Sequence, residues 1–213
     1  AIQQKTIWLQ TGEPKEQFLT NIAWSPDDRY IYIAVLNRGQ NHFWLKQYDA
    51  GTGAFIKTLF DEADAQYAEP LVPMLFVKND PTKFIWQSRR DGWNHLYLYD
   101  TSGKLMRQLT QGNWEVLEVK GFDDKGRSLF FTSTAVSATS KNLYRLDWKN
   151  GFIQPINQTP GVHNTQVSSN GEWVLDNFSN LETPREIQLI PLKARIAPRT
   201  LLKAANPLAD YQR

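Results

Sequence analysis

Cysteine is missing from the chain altogether. That removes disulfide staples, thiolate nucleophiles and cysteine-ligated zinc together, though it assigns no compartment. Histidine is scarce, with only His42, His95 and His163. No two of them have the spacing of metal ligands on one strand or helix, so neither a metal nor another cofactor is expected. No apolar run reaches the roughly 18 residues that a membrane-crossing helix needs, and no membrane span is expected. Charge is not concentrated in either sign. Lys and Arg number 24 against 22 Asp and Glu, and the only adjacent basic pair is Arg89–Arg90. Nucleic-acid recognition needs a basic patch or stripe, so nucleic acid is not an expected partner. Ala1-Ile2-Gln3-Gln4-Lys5 lacks the layout of a signal peptide, and the chain reads as cut from a longer one.

Apolar and aromatic residues are plentiful. Hydrophobic residues make up 41% and aromatics 13% of the chain, enough for a sizeable core and suited to pleated surfaces. A repeat organises them. Ile22-Ala23-Trp24-Ser25-Pro26-Asp27 is echoed by Leu75-Phe76-Val77-Lys78-Asn79-Asp80, by Gly121-Phe122-Asp123-Asp124 and by Gln166-Val167-Ser168-Ser169-Asn170. The anchors Trp24, Phe76, Phe122 and Val167 lie 52, 46 and 45 positions apart. Second strands are expected at Tyr30–Val35, Phe84–Gln87, Ser128–Thr132 and Trp173–Phe178. Third strands follow at Phe43–Asp49, His95–Asp100, Asn142–Asp147 and, in a worn copy, Arg185–Ile190. Asp49, Asp100 and Asp147 each lead into a glycine turn, where Asp and Gly supply local hydrogen bonds and positive φ. Fourth strands are expected at Phe55–Phe60, Leu105–Thr110, Phe152–Asn157 and Thr200–Ala204.

Short strands in fours at this period, with no helix-period segment between them, predict an all-β chain. The predicted fold is a β-propeller segment of about four blades of four antiparallel strands, rather than an irregular sandwich. The blades fall at about 18–61, 71–111, 114–158 and 163–205, with 206–213 starting a linker. Four blades are compatible with a closed ring or with part of a larger one.

Candidate chemistry is sparse. Gly126-Arg127-Ser128-Leu129-Phe130 approaches a nucleophile elbow but ends in Phe and reads as a turn entering a strand. His42 and His95 occupy equivalent repeat positions. Asp27-Asp28 and Asp123-Asp124 sit at equivalent turns. Trp93 and Trp114 are expected to pack between blades. The longest inter-blade connection, Asp61–Pro73, carries Asp61, Glu62, Asp64 and Glu69. It is the best candidate for a functional surface, because loops on a rigid scaffold commonly carry binding residues.

One stretch carries a family resemblance. Arg90-Asp91-Gly92-Trp93-Asn94-His95-Leu96-Tyr97-Leu98-Tyr99-Asp100, then Leu109-Thr110-Gln111-Gly112-Asn113-Trp114-Glu115-Val116, resembles the second half of the N-terminal propeller of dipeptidyl peptidase IV-type serine peptidases of bacteria. Lys141–Leu146 and Asn206-Pro207-Leu208 extend the similarity, which runs from about Asn21 to Leu208. The resemblance implies an eight-bladed propeller capping an α/β-hydrolase domain with a Ser-Asp-His triad, which removes dipeptides from peptide amino termini. The propeller would gate access and supply acidic groups for the substrate's ammonium. The implied partners are that hydrolase domain, the earlier blades and peptide substrates, and the implied location is periplasmic or otherwise extracytoplasmic.

The sequence departs from the family pattern in two places. It has no Glu-Glu dipeptide, and the hydrolase domain is expected to begin beyond Asp210-Tyr211, where this chain stops at Arg213. No catalytic residue is therefore expected here. Tyr67-Ala68-Glu69-Pro70-Leu71 matches a loop near the family's substrate cavity, which makes Tyr67 and Glu69 the candidate substrate-facing residues. Two alternatives stay open: a TolB-like propeller acting as a protein-binding scaffold in the cell envelope, and a fragment whose uncovered edges drive association, including a homodimer.

Overall fold

A computed structural model describes residues 6–193 and 196–207, which leaves Ala1–Lys5, positions 194–195 of the fourth expected blade and 208–213 of the linker expected at 206–213 outside the described residues. The described chain is all β. Its strands are β1 (Gln17–Trp24), β2 (Tyr30–Asn37), β3 (His42–Asp49), β4 (Phe55–Ala63), β5 (Leu75–Val77), β6 (Asp80–Ser88), β7 (His95–Asp100) and β8 (Leu105–Gln108). There follow β9 (Val116–Phe122), β10 (Ser128–Ser133), β11 (Asn142–Asp147), β12 (Phe152–Pro155), β13 (Val162–Val167), β14 (Trp173–Ser179), β15 (Glu186–Pro191) and β16 (Arg199–Lys203). They form four four-stranded antiparallel meanders in chain order, the blades of a propeller segment. Two sheets belong to a unit spanning 1–110 and two to a unit spanning 111–213.

The sequence of β2 explains why a single sheet is not enough. Successive side chains of a strand point to opposite faces. In Tyr30–Asn37, Tyr32, Ala34 and Leu36 are buried on one face and Ile31, Ile33 and Val35 on the other. The first set packs with Phe43, Leu45 and Leu59 of its own sheet and with Phe84, Trp86, Tyr97 and Tyr99 of the second. The other set packs with Tyr48 and with Leu9, which precedes β1. A strand buried on both faces reads as a continuous apolar run, which hides the alternation. The 111–213 unit follows the same rule, with Phe130 and Leu143 packed on Val174 and Ile190.

The repeated Asp-to-Gly turns close the hairpins by local bonding. Asp49 Oδ1 accepts the amides of Gly51 and Thr52 at 3.0 and 2.8 Å, and Asp100 Oδ1 those of Ser102 and Lys104 at 2.9 and 3.1 Å. Asp147 Oδ1 accepts the amides of Lys149 and Asn150 at 3.0 and 3.3 Å. The hydroxyls of Thr52 and Ser102 hold the Asp49 and Asp100 carboxyls below the usual range. A second device recurs at strand starts. Thr110 Oγ1 accepts the Leu96 amide and Asn157 Oδ1 the Leu143 amide, both at 2.9 Å. In each case a side chain just past the fourth strand satisfies the start of the third.

Two expectations change. Asp61 and Glu62 belong to β4, not to a connection, because His42, Phe43 and Trp44 of β3 pair with Ala63, Glu62 and Asp61. Strand pairing overrides the weak strand preference of acidic residues. Trp93 is covered only in part: it is 38% exposed on the turn before β7. Trp114 stacks on Phe131 of β10, within its own expected blade, with ring centroids 6.3 Å apart.

Two stability tests follow from this packing. Gly103 (φ +101°) lies so near β4 that a Cβ would stand 2.0 Å from the Leu59 carbonyl oxygen, whereas Gly92 (φ +94°) has open space around it. Gly103→Ala is expected to lower unfolding free energy by about 3 kcal/mol, and Gly92→Ala by about 1–2 kcal/mol from backbone strain alone, measured by urea denaturation. Equal losses would show that the close approach to Leu59 does not matter. The second test concerns Tyr32, which is 2% exposed and accepts a hydrogen bond from Gln47 Nε2 at 3.1 Å. Burial first, with help from Tyr30 and Asp27, pushes its hydroxyl from 10.0 up to about 12. A folded pKa above the unfolded one stabilises fully below pH 10 and is lost as pH rises through 12. Tyr32→Phe should therefore flatten the alkaline fall in stability over that window, and an unchanged slope would refute the assignment.

Candidate functional site

Strand β4 ends at Ala63, and the chain then turns sharply. Asp64 makes that turn: its Oδ1 accepts the amides of Gln66 and Tyr67 at 2.8 and 3.1 Å, and these bonds hold its carboxyl below the usual range. The segment is tied back to the β2–β3 hairpin by Asp64 N to Asn41 O and Ala68 N to Gln40 O, both 3.0 Å. Ala68 is buried, while Tyr67 is 54% exposed and Glu69 is exposed. Desolvation and the neighbouring Glu69 carboxylate raise the Tyr67 hydroxyl.

The facing wall comes from the second sheet. The end of β6 and its following turn place Arg89 and Arg90 opposite Asp61, Asp64, Tyr67 and Glu69 around a cleft of about 410 Å³. Glu62 also lines the cleft and bonds across to the second sheet. Its carboxylate accepts Trp86 Nε1–H at 3.1 Å, Ser88 Oγ–H at 2.6 Å and a short bond from the Arg90 guanidinium. That guanidinium lies over Tyr97 at 4.4 Å and Tyr99 at 5.6 Å from the ring centroids, a cation–π arrangement. Burial alone would lower the Arg90 pKa, but Glu62 and Tyr99 outweigh it and the net shift is upward. Burial raises Tyr99, with Arg90 opposing.

The candidate residues Tyr67 and Glu69 thus share a cleft with Arg89 and Arg90, about twenty positions further along the chain. The Glu62–Trp86–Ser88–Arg90 cluster had no signature in sequence, since Glu62 lies 24 to 28 positions before the three residues it bonds. His42 bonds Asp61 at 2.7 Å near the cleft edge. The other two histidines are buried in structural bonds: His95 Nδ1 lies 3.0 Å from Thr110 Oγ1, and His163 lies 2.7 Å from Asp176 Oδ2 and 2.9 Å from the Thr159 carbonyl. Ser128 opens β10 at a hairpin. The cleft offers charge, hydrogen bonds and an aromatic side chain, which is chemistry for holding a ligand.

Comparison with known proteins places this architecture. Residues 2–185 match the family described as the dipeptidyl peptidase IV (DPP IV) N-terminal region. A protein of Aspergillus fumigatus assigned as dipeptidyl peptidase 4 is 29% identical over 231 aligned positions, covering 99% of this chain and 30% of its own length. The crystal structure of a Bacteroides ovatus protein assigned as a dipeptidyl aminopeptidase IV superposes with a TM-score of 0.88 at 37% identity, covering 98% of this chain and 32% of that one. Porphyromonas gingivalis dipeptidyl peptidase 4 shares the fold, with a TM-score of 0.78 at 23% identity over 92% of this chain and 27% of its own. This chain therefore spans about a third of the length of these relatives. Its sheets, their order and the family match agree: the chain belongs to the dipeptidyl peptidase IV N-terminal region family.

Proposed function

We propose that this chain is the non-catalytic propeller portion of a dipeptidyl peptidase IV-like serine exopeptidase. In this reading it caps the active site of a hydrolase domain on the same parent polypeptide and gates the peptides that reach it. Earlier blades of that parent complete the propeller, and the enzyme works in the periplasm or another extracytoplasmic space. The observation that supports the reading most is the cleft formed by the 61–69 segment and Arg89–Arg90 in a chain of this family. Its exposed groups, Tyr67 and Glu69, ride on a turn tied to rigid strands, the usual arrangement for a binding loop. A peptide's free ammonium and backbone need charged and hydrogen-bonding partners when they leave water. Tyr67 and Glu69 are the substrate-facing residues of this segment.

Dipeptide release from a Gly-Pro chromogenic substrate tests the proposal. Release is expected from the parent polypeptide and not from this chain alone. Release by the chain itself would overturn its non-catalytic role, and release by neither would overturn the peptidase reading. In an active parent, Tyr67→Ala or Glu69→Ala is expected to raise KM about tenfold with little change in kcat, the mark of a lost binding contact. An unchanged KM in both would remove these residues from the substrate path.

A further inference from the structure

We propose that Glu62 is a positioning residue that sets the width of the cleft, holding Arg90 and the turn after β6 against the 64–69 segment. The proposal rests on the reading of the cleft as substrate-facing. Glu62 belongs to β4 of the first sheet, yet the side chains it bonds all belong to β6 or the turn after it, in the second sheet. Its Oε1 accepts from Trp86 and Arg90, and its Oε2 from Ser88. With both oxygens engaged and the side chain only 15% exposed, Glu62 lines the cleft without presenting a carboxylate to a ligand. It joins the two walls instead.

The hydrogen bonds require a carboxylate at this position. Ser88 Oγ accepts the Arg90 backbone N–H and the Arg90 Nε–H, each at 3.1 Å. A hydroxyl has two acceptor lone pairs and one donor. Those lone pairs are therefore filled, and Ser88 must donate its own proton, at 2.6 Å, to Glu62 Oε2. A glutamine at 62 could keep an acceptor toward Trp86 and Arg90, but its NH2 would then face the Ser88 O–H, donor against donor. Arg90 is also confined from the other side by the rings of Tyr97 and Tyr99. Loss of the Glu62 contact consequently moves the turn after β6, whose Gly92 amide bonds the Arg89 carbonyl at 2.8 Å. Arg89 and Arg90 then shift relative to Tyr67 and Glu69.

The test uses Glu62→Gln alone and combined with Ser88→Ala, with Glu62→Asp as a shorter variant that keeps the charge. In the active parent, E62Q is expected to raise KM for the Gly-Pro substrate about tenfold with kcat nearly unchanged. Adding Ser88→Ala removes the clashing donor and should recover part of that loss, which a merely destabilised fold would not show. Glu62→Asp should fall between wild type and E62Q. A wild-type KM in E62Q, or a double variant no better than E62Q, would overturn the proposal. A second readout needs no activity: amide hydrogen exchange at Gly92, Trp93 and Asn94 of this chain should quicken in E62Q while the β2–β3 amides keep their protection. Unchanged exchange there overturns the positioning role, whereas a wild-type parent that releases no dipeptide overturns only the peptidase reading. If E62Q does not fold, Glu62→Asp carries the same exchange test.

Discussion

Strands β2, β6, β7 and β10 are buried on both faces, and much of the rest of the structure answers to that. A sheet with Tyr32 and Leu36 on one side and Ile31 and Val35 on the other cannot leave either side in water. Each buried side chain of that size contributes roughly 1.5–3 kcal/mol when it leaves solvent, so both faces need cover. The second sheet covers one face of the first through Phe84, Trp86, Tyr97 and Tyr99. Leu9, from the segment before β1, helps cover the other. Close stacking in turn demands hairpins thin enough to fit, which is why Gly103 stands where the Leu59 carbonyl leaves no room for a side chain.

Dense packing raises the stakes for every polar group inside it, because an unpaired one costs a large fraction of a domain's stability. The 111–213 unit meets much of this with a connected set, although Asp176 Oδ1 is left without a hydrogen bond. Asn157 Oδ1 accepts the Leu143 amide, and its Nδ2 donates to Asp176 Oδ2, which also meets His163. His163 reaches on to the Thr159 carbonyl, so one cluster ties β13 and β14 to the connection that precedes them. The 1–110 unit uses a charged version of the same solution, in which Glu62 crosses from one sheet to the next.

That difference gives the cleft its character. Its deepest charges, Glu62 and Arg90, neutralise each other and are held by Trp86, Ser88 and two tyrosine rings. The groups turned outward, Tyr67 and Glu69, sit on a turn whose shape is set by Asp64. A rigid interior carrying a small exposed polar rim is suited to orienting a ligand. The family relationship and the geometry are thus complementary: one names the class of protein, the other the groups that line its cleft.

The sequence determined by itself whatever rests on neighbours a few residues apart. The Asp49, Asp100 and Asp147 turns bond amides within four positions, and Ser25 and Ser168 close their turns onto Tyr30 and Trp173 five positions on. Such local chemistry recurs with the repeat, so the strand order, the hairpins and the all-β class were legible before any coordinates. Tyr67 and Glu69 were legible as candidates because they fall in the longest connection of the chain and in a stretch that resembles a family loop. Tertiary structure alone decided that Asp61 and Glu62 are strand residues, since the pairing of β3 with β4 outweighs what acidic side chains prefer. It alone exposed Trp93 and brought Arg89 and Arg90 across from Tyr67. Those outcomes depend on register and on how one sheet lies against the next, which are set by the summed packing of many side chains and leave no short-range pattern to read.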